Sequence, residues 1–231
     1  MGTERGVRVR GTADRIRTAI PRFSLLLPLI LLSMVVSGFQ DHHPLVKDID
    51  RWIKAAVLVL TLYVSGVGRG YFLSVAVLAL ASAAAWRTAQ VHPGWPVYIV
   101  VLTVGALMVL APVAILRRVW RDFAAEEGDS EIVSGALCAY LYIGAWFAFL
   151  YRAAAILSER PFFAQPGAED GLNYLYFSLV TLTTVGYGGL FPANAPGRML
   201  AATEAVVGQL YLVSVVAIVV SAYGKRRSGR P

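Results

Sequence analysis

Residues 181–192 read TLTTVGYGGLFP, and the spacing of their glycines poses a backbone problem with a chemical answer. In an extended strand successive residues face opposite sides. If alternate residues take left-handed torsions, the carbonyls can all point one way, and glycine accepts those torsions with little strain. In TVGYG, Gly186 and Gly188 alternate with Val185 and Tyr187. The spacing predicts a short ladder of carbonyl oxygens on one side, extended by the Thr184 hydroxyl, with the Val185 and Tyr187 side chains packed into protein on the other. Such a ladder suits a dehydrated cation.

The element that must position this ladder precedes it. LNYLYFSLVTL, residues 172–182, is apolar and aromatic, and a helix of that length spans roughly half a membrane. Irregular backbone at membrane depth is tolerated only where protein buries it or where it lines an aqueous cavity. A half-helix followed by the glycine-rich stretch is therefore expected to be a re-entrant loop facing a water-filled path.

The rest of the chain supplies the membrane. Of 231 residues 57% are hydrophobic and 15% charged, which points away from a water-soluble core. Six apolar segments approach the about 17–25 residues that a spanning helix needs: 23–39, 52–67, 71–86, 97–116, 132–155 and 199–223. The second and third are short and, with GVGRG between them, are expected to form a hairpin. The fold class expected is all-α, with six transmembrane helices plus a re-entrant pore helix and its loop.

Short loops rich in Lys and Arg stay in the cytoplasm. With the N-terminus inside, 14 of the 21 basic residues fall on cytoplasmic segments, including Arg69, Arg117, Arg118 and Arg121. His42, His43 and His92 lie in outer loops. Both termini are expected in the cytoplasm, and the absence of an alternating-strand pattern places the protein in an inner or plasma membrane. The organisation expected is a basic segment 1–22, a four-helix domain 23–120, a linker 121–131, a pore domain 132–223 and a basic tail 224–231. The net charge of +7 sits at membrane flanks, so lipid headgroups rather than nucleic acid are the expected counter-charge. The first apolar run lacks an A-x-A-like cleavage site and reads as a retained helix. Cys138 is the sole cysteine, which leaves no intrachain disulfide and no Cys-based metal site.

The stretch TTVGYG, together with an outer helix, a short pore helix and an inner helix in that order, resembles the tetrameric potassium channels, whose TVGYG loops ring the permeating ion with carbonyl oxygens. The form resembled is the bacterial six-span type with one pore loop. The resemblance implies a passive potassium conductor with Thr184, Val185, Gly186, Tyr187 and Gly188 as the selectivity filter, K+ as the permeant ion and no cofactor. Because one chain gives one column of carbonyls and no second GYG occurs, a homotetramer is implied. FPANAPGR, residues 191–198, is similar to the family's turn into the inner helix, and Gly208 stands where many members place a hinge glycine; its other reading is close helix packing. Gln209 would face the central cavity or bond between helices. Two positions depart from the family: Gly189 replaces the usual Asp, and Val180 stands where some bacterial members carry Glu. Glu204, the one acid in the last span, either approaches the pore helix and supplies that carboxylate or sits solvated near the outer interface. Leu212, Val213, Val216, Ala217 and Val220 recur at helical spacing and form either an apolar inner gate or a packing stripe.

Voltage sensing needs several charges within the field, and residues 97–116 carry none. Voltage gating is not expected, and the eight-residue tail GKRRSGRP is not expected to hold a ligand-sensing domain. Enzymatic chemistry lacks its residues, since the three histidines lie in loops and Glu204 is alone. The alternatives are a weakly selective cation channel of the same fold, a regulatory subunit without conduction of its own, and a membrane transporter.

Overall fold

The computed structural model describes residues 22–38, 44–66, 68–91, 94–124 and 129–228. The basic segment before Arg22, the three histidines, the middle of the linker and the last three residues lie outside the described residues. Those described form seven helices and no strand: α1 Arg22–Ser37, α2 Pro44–Val64, α3 Arg69–Val91, α4 Trp95–Ala124, α5 Asp129–Ser158, α6 Gly171–Leu182 and α7 Ala195–Ser228. By length and composition, 95–121 and 131–158 can cross a membrane, and Phe23–Ser37 is a shorter apolar helix.

Helix ends differ from hydropathy ends in a consistent way. α2 begins eight residues before Trp52, taking in Lys47, Asp48, Asp50 and Arg51, and α3 continues through Arg87–Val91. Pro44 opens α2, where a missing N–H costs nothing. These charged stretches lower hydropathy without stopping a helix, because Lys, Arg, Gln and Ala are good helix formers. For the same reason α4 runs to Ala124 and α5 starts at Asp129, so the linker expected over 121–131 is helical at both ends.

α5 is the hub. It packs on α4, α6, α1 and α7, while α3 rests on α4 and α2 on α1. The expected α2–α3 hairpin is corrected here: the two helices are consecutive, but among the described residues they do not pack along one another. Their partners are the longer apolar surfaces of α1 and α4. One core joins α1, α2 and α4 to the first half of α5 through Phe23, Leu26, Val57, Ile115, Val119, Cys138 and Ala139. A second surrounds α6 with Phe147, Tyr151, Phe162, Phe163, Tyr174 and Phe177; these rings touch edge-on or tilted at 4.7–6.3 Å, the separations that aromatic pairs favour.

Four helix ends meet at one pole. Phe23 N–H at the start of α1 donates to Glu131 Oε2 (2.7 Å) at the start of α5. Arg121 at the end of α4 donates to the Ser65 carbonyl (3.2 Å) just past α2. α1 and α5 therefore run away from this pole and α2 and α4 toward it, while α6 and α7 both start at the opposite pole, where residues 162–164 bond residues 191–193.

Candidate functional site: the loop after α6

α6 is anchored at both ends. Asp170 caps its N-terminus, Oδ1 accepting from Asn173 N–H at 2.7 Å, while Asn173 Nδ2 donates to Asp170 Oδ2 (3.0 Å) and the Ala168 carbonyl (3.1 Å). Such a cap satisfies one of the four donors that a helix start leaves unpaired. With 12 residues the helix is about 18 Å long. Its buried face is Tyr174, Phe177, Ser178 and Leu182, set by α5 and α7.

At the other end the chain turns back on the helix it has just left. The N–H groups of Thr183 and Thr184 donate to Leu179 O (3.0 Å) and Thr181 O (2.9 Å), and those of Val185 and Gly186 both donate to Val180 O (3.0 and 3.3 Å). A trans peptide sets each N–H opposite the preceding carbonyl. Four successive N–H groups bound to the helix end therefore send the carbonyls of residues 182–185 the other way. The torsions alternate as the glycine spacing requires: φ is +58° at Thr184, +59° at Gly186 and +80° at Gly188, with no positive value at Val185 or Tyr187. A Cβ at either glycine would meet nothing within 4 Å, so the demand for glycine here is torsional and not one of space. Thr184 was not foreseen in this role, because a β-branched residue at positive φ is an outlier. The C-terminus of α6, carrying about half a negative charge, stands behind this loop.

Val185 and Tyr187 are 51% and 75% exposed, so the chain itself does not supply protein for them to pack into. The loop's outer continuation is held instead by residues 159–170. Phe163 and Pro192 form an isolated antiparallel bridge; Ala164 N–H donates to Phe191 O (3.0 Å) and Ala193 N–H to Phe162 O (2.8 Å). The paired phenylalanines in the otherwise polar ERPFFAQPGAED were the sequence signal for this clasp.

Behind the loop, Glu204 is fully buried at 0% exposure and accepts from the Tyr151 hydroxyl of α5 and the Ser178 hydroxyl of α6. Ser178 Oγ also lies 2.6 Å from Gly144 O. Of the two placements considered for Glu204, this is the one against the pore helix. Gly208, one turn on, is where α7 crosses the end of α6: a Cβ there would overlap the Leu182 carbonyl oxygen and stand 2.9 Å from Leu182 Cδ1. That same carbonyl accepts from Tyr140 Oη at 2.9 Å. Gln209 Nε2 donates to Thr184 Oγ1 at 3.2 Å. The sequence marked Glu204, Gly208 and Gln209 but not their partners Tyr151, Ser178 and Tyr140. Leu212 and Val213 are placed on α7, while the side chains of Val216 and Val220 lie outside the described residues. Among the described residues, no group of three or more His, Cys, Asp or Glu could hold a metal ion; the oxygens gathered here are carbonyls, hydroxyls and the Glu204 carboxylate.

A half-helix whose end ties down an alternating loop, held between an outer and an inner helix, is the construction of an ion-channel pore. Residues 135–225 match the family model described as "Ion channel". The chain is 29% identical over 84 residues to potassium voltage-gated channel subfamily A member 6 of human, and to the same protein of mouse and of rat. The match covers 34% of this chain and 16% of each of those relatives. The matched region points to a channel and not to an enzyme.

Proposed function

We propose that the chain is the subunit of a homotetrameric channel conducting potassium passively and selectively, with Thr184, Val185, Gly186, Tyr187 and Gly188 as its filter. The observation carrying this reading is the alternation of φ at 184, 186 and 188, with the N–H groups of 183–186 spent on the end of α6. That geometry turns the carbonyls of Thr183, Thr184 and Val185 away from the helix and toward an ion, while the Leu182 carbonyl is held by Tyr140; four such columns replace the ion's water shell. The reading includes six spans, cytoplasmic termini and an inner or plasma membrane; the opposed directions of α1 and α5 against α2 and α4 and the basic residues at the pole of Arg121 support it under the positive-inside rule. The curated relatives are voltage-gated by name, but α4 carries no charge between Val97 and Leu116, and Arg117, Arg118 and Arg121 stand at its end. The proposed channel is therefore not gated by voltage.

The test is the reversal potential of the purified protein in planar bilayers under a potassium/sodium gradient. Reversal near the potassium value, lost in Tyr187→Ala, is expected. Steps to both polarities should show open probability without steep voltage dependence. A reversal near zero from active wild-type protein would replace this reading with the weakly selective one, and steep voltage dependence would return α4 to a sensing role.

A further inference from the structure

The loop after α6 is fastened at two places, with a free stretch between them. Gly186 N–H, bound to Val180 O, is its last bond to the end of α6. The next anchor is Phe191, whose N–H donates to Gln165 Oε1 (3.2 Å) and whose carbonyl accepts from Ala164 N–H (3.0 Å). Among the described residues, no hydrogen bond within the chain holds the backbone of residues 187–190. A Cβ on Gly188 or Gly189 would meet nothing within 4 Å. Where the Tyr187 and Gly188 carbonyls stand is therefore decided by the two anchors, at Gly186 and at Phe191.

Gln165 is itself held in place. Residues 165–168 form a turn with Pro166 second and Gly167 third, and a third residue at positive φ is what a type II turn requires. The Gly167 φ is +76°, and Ala168 N–H closes the turn on Gln165 O at 3.4 Å. Two residues earlier, Phe163 N–H donates to Glu169 Oε1 (2.9 Å), while Glu169 Oε2 accepts from the Tyr174 hydroxyl of α6. The side-chain oxygen that grips the far anchor is thus tied back to the same helix that holds the near one.

We propose that Gln165 is a positioning residue for the outer half of the filter, keeping residues 187–190 in their conducting arrangement while the end of α6 keeps residues 183–186. The proposal rests on the reading of the chain as a potassium channel. Without the Gln165 bond, Phe191 is tethered by Ala164 alone. The outer carbonyls then leave their ring more often, which ends conduction, while the inner ones go on selecting.

The full chain is purified and recorded as single channels in planar bilayers. Gln165→Met keeps the length of the side chain and removes the amide oxygen, Gln165→Asn draws the oxygen back by one carbon, and Gln165→Glu keeps an acceptor at the same reach. Loss of one neutral hydrogen bond should shorten conducting bursts about fivefold in the Met and Asn variants. The Glu variant should behave as the wild type. A cation on the outer carbonyls binds only the conducting arrangement, so raising external potassium from about 2 mM to about 100 mM should lengthen the shortened bursts again. The reversal potential within bursts should not move, and melting curves show which variants are folded. Wild-type bursts in the folded Met or Asn variant overturn the proposal; so do a Glu variant as impaired as Met and shortened bursts indifferent to external potassium. A folded wild type without potassium-selective current would sink the channel reading and the proposal with it, whereas selective wild-type current with unchanged variants sinks the proposal alone.

Discussion

Glu204 shows how much a single side chain behind the proposed filter has to satisfy. Its carboxyl is buried between the Tyr151 and Ser178 hydroxyls, and Ser178 is also 2.6 Å from Gly144 O. Two hydroxyl protons thus serve three contacts. An amide in the carboxylate's place supplies the missing donor: its NH2 can bond Ser178, freeing that hydroxyl for Gly144, while its oxygen accepts from Tyr151. Glu204→Gln should therefore keep most of the wild-type thermal stability and filter behaviour. Glu204→Ala leaves two buried hydroxyls without that partner and should cost about 1–3 kcal/mol, with shorter conductive bursts in single-channel records. A Gln variant as impaired as Ala would show that charge, not hydrogen bonding, is what the site needs. A lone acid in an apolar helix marked Glu204 but left its depth open between the pore helix and the outer interface. Its partners were not, because they come from 26 and 53 residues away and sequence spacing does not say which faces meet across helices. The loop after α6 is the opposite case: Gly186 and Gly188 announce their torsions by residue type, whereas Thr184 conceals the same torsion under a side chain that ordinarily avoids it.

Among the elements, α6 and α7 are fastened at one point, the Leu182 carbonyl, which takes the Tyr140 hydroxyl and lies under Gly208. Gly208→Ala forces the inner helix away from the end of the pore helix, and overpacking of this kind costs about 1–3 kcal/mol. The expected result is a lowered melting temperature in detergent together with altered opening. A glycine that serves only as a hinge would instead change open probability and leave melting where it was. Apolar runs revealed that each of these helices exists, because burial and membrane both demand them. They did not reveal where α2, α3, α4 and α5 end, since the charged residues at those ends favour helix as well. Nor could they show that α3 leans on α4 and not on α2, a choice made by complementary surfaces and not by adjacency in the chain.

At the scale of the molecule, the chain is unfinished along its pore side. Tyr187 and Val185 are exposed, and so are Met199, Val206, Leu210 and Val213 of α7, whose spacing of seven, four and three residues lays them on one stripe of a helix. Apolar stripes of this kind are covered by partners, and a closed ring of identical subunits covers all of them alike. A particle of four 25.0 kDa chains is the expected mass in native mass spectrometry. Mixing gives a sharper result. If wild-type and Tyr187→Ala chains are produced in equal amounts and assemble at random, about one channel in sixteen holds four intact carbonyl columns. The fraction of single channels with wild-type potassium selectivity should fall to about that level. One in four would mean that two chains complete the pore, and one in two that each chain conducts by itself; either would refute the ring of four on which the filter reading depends.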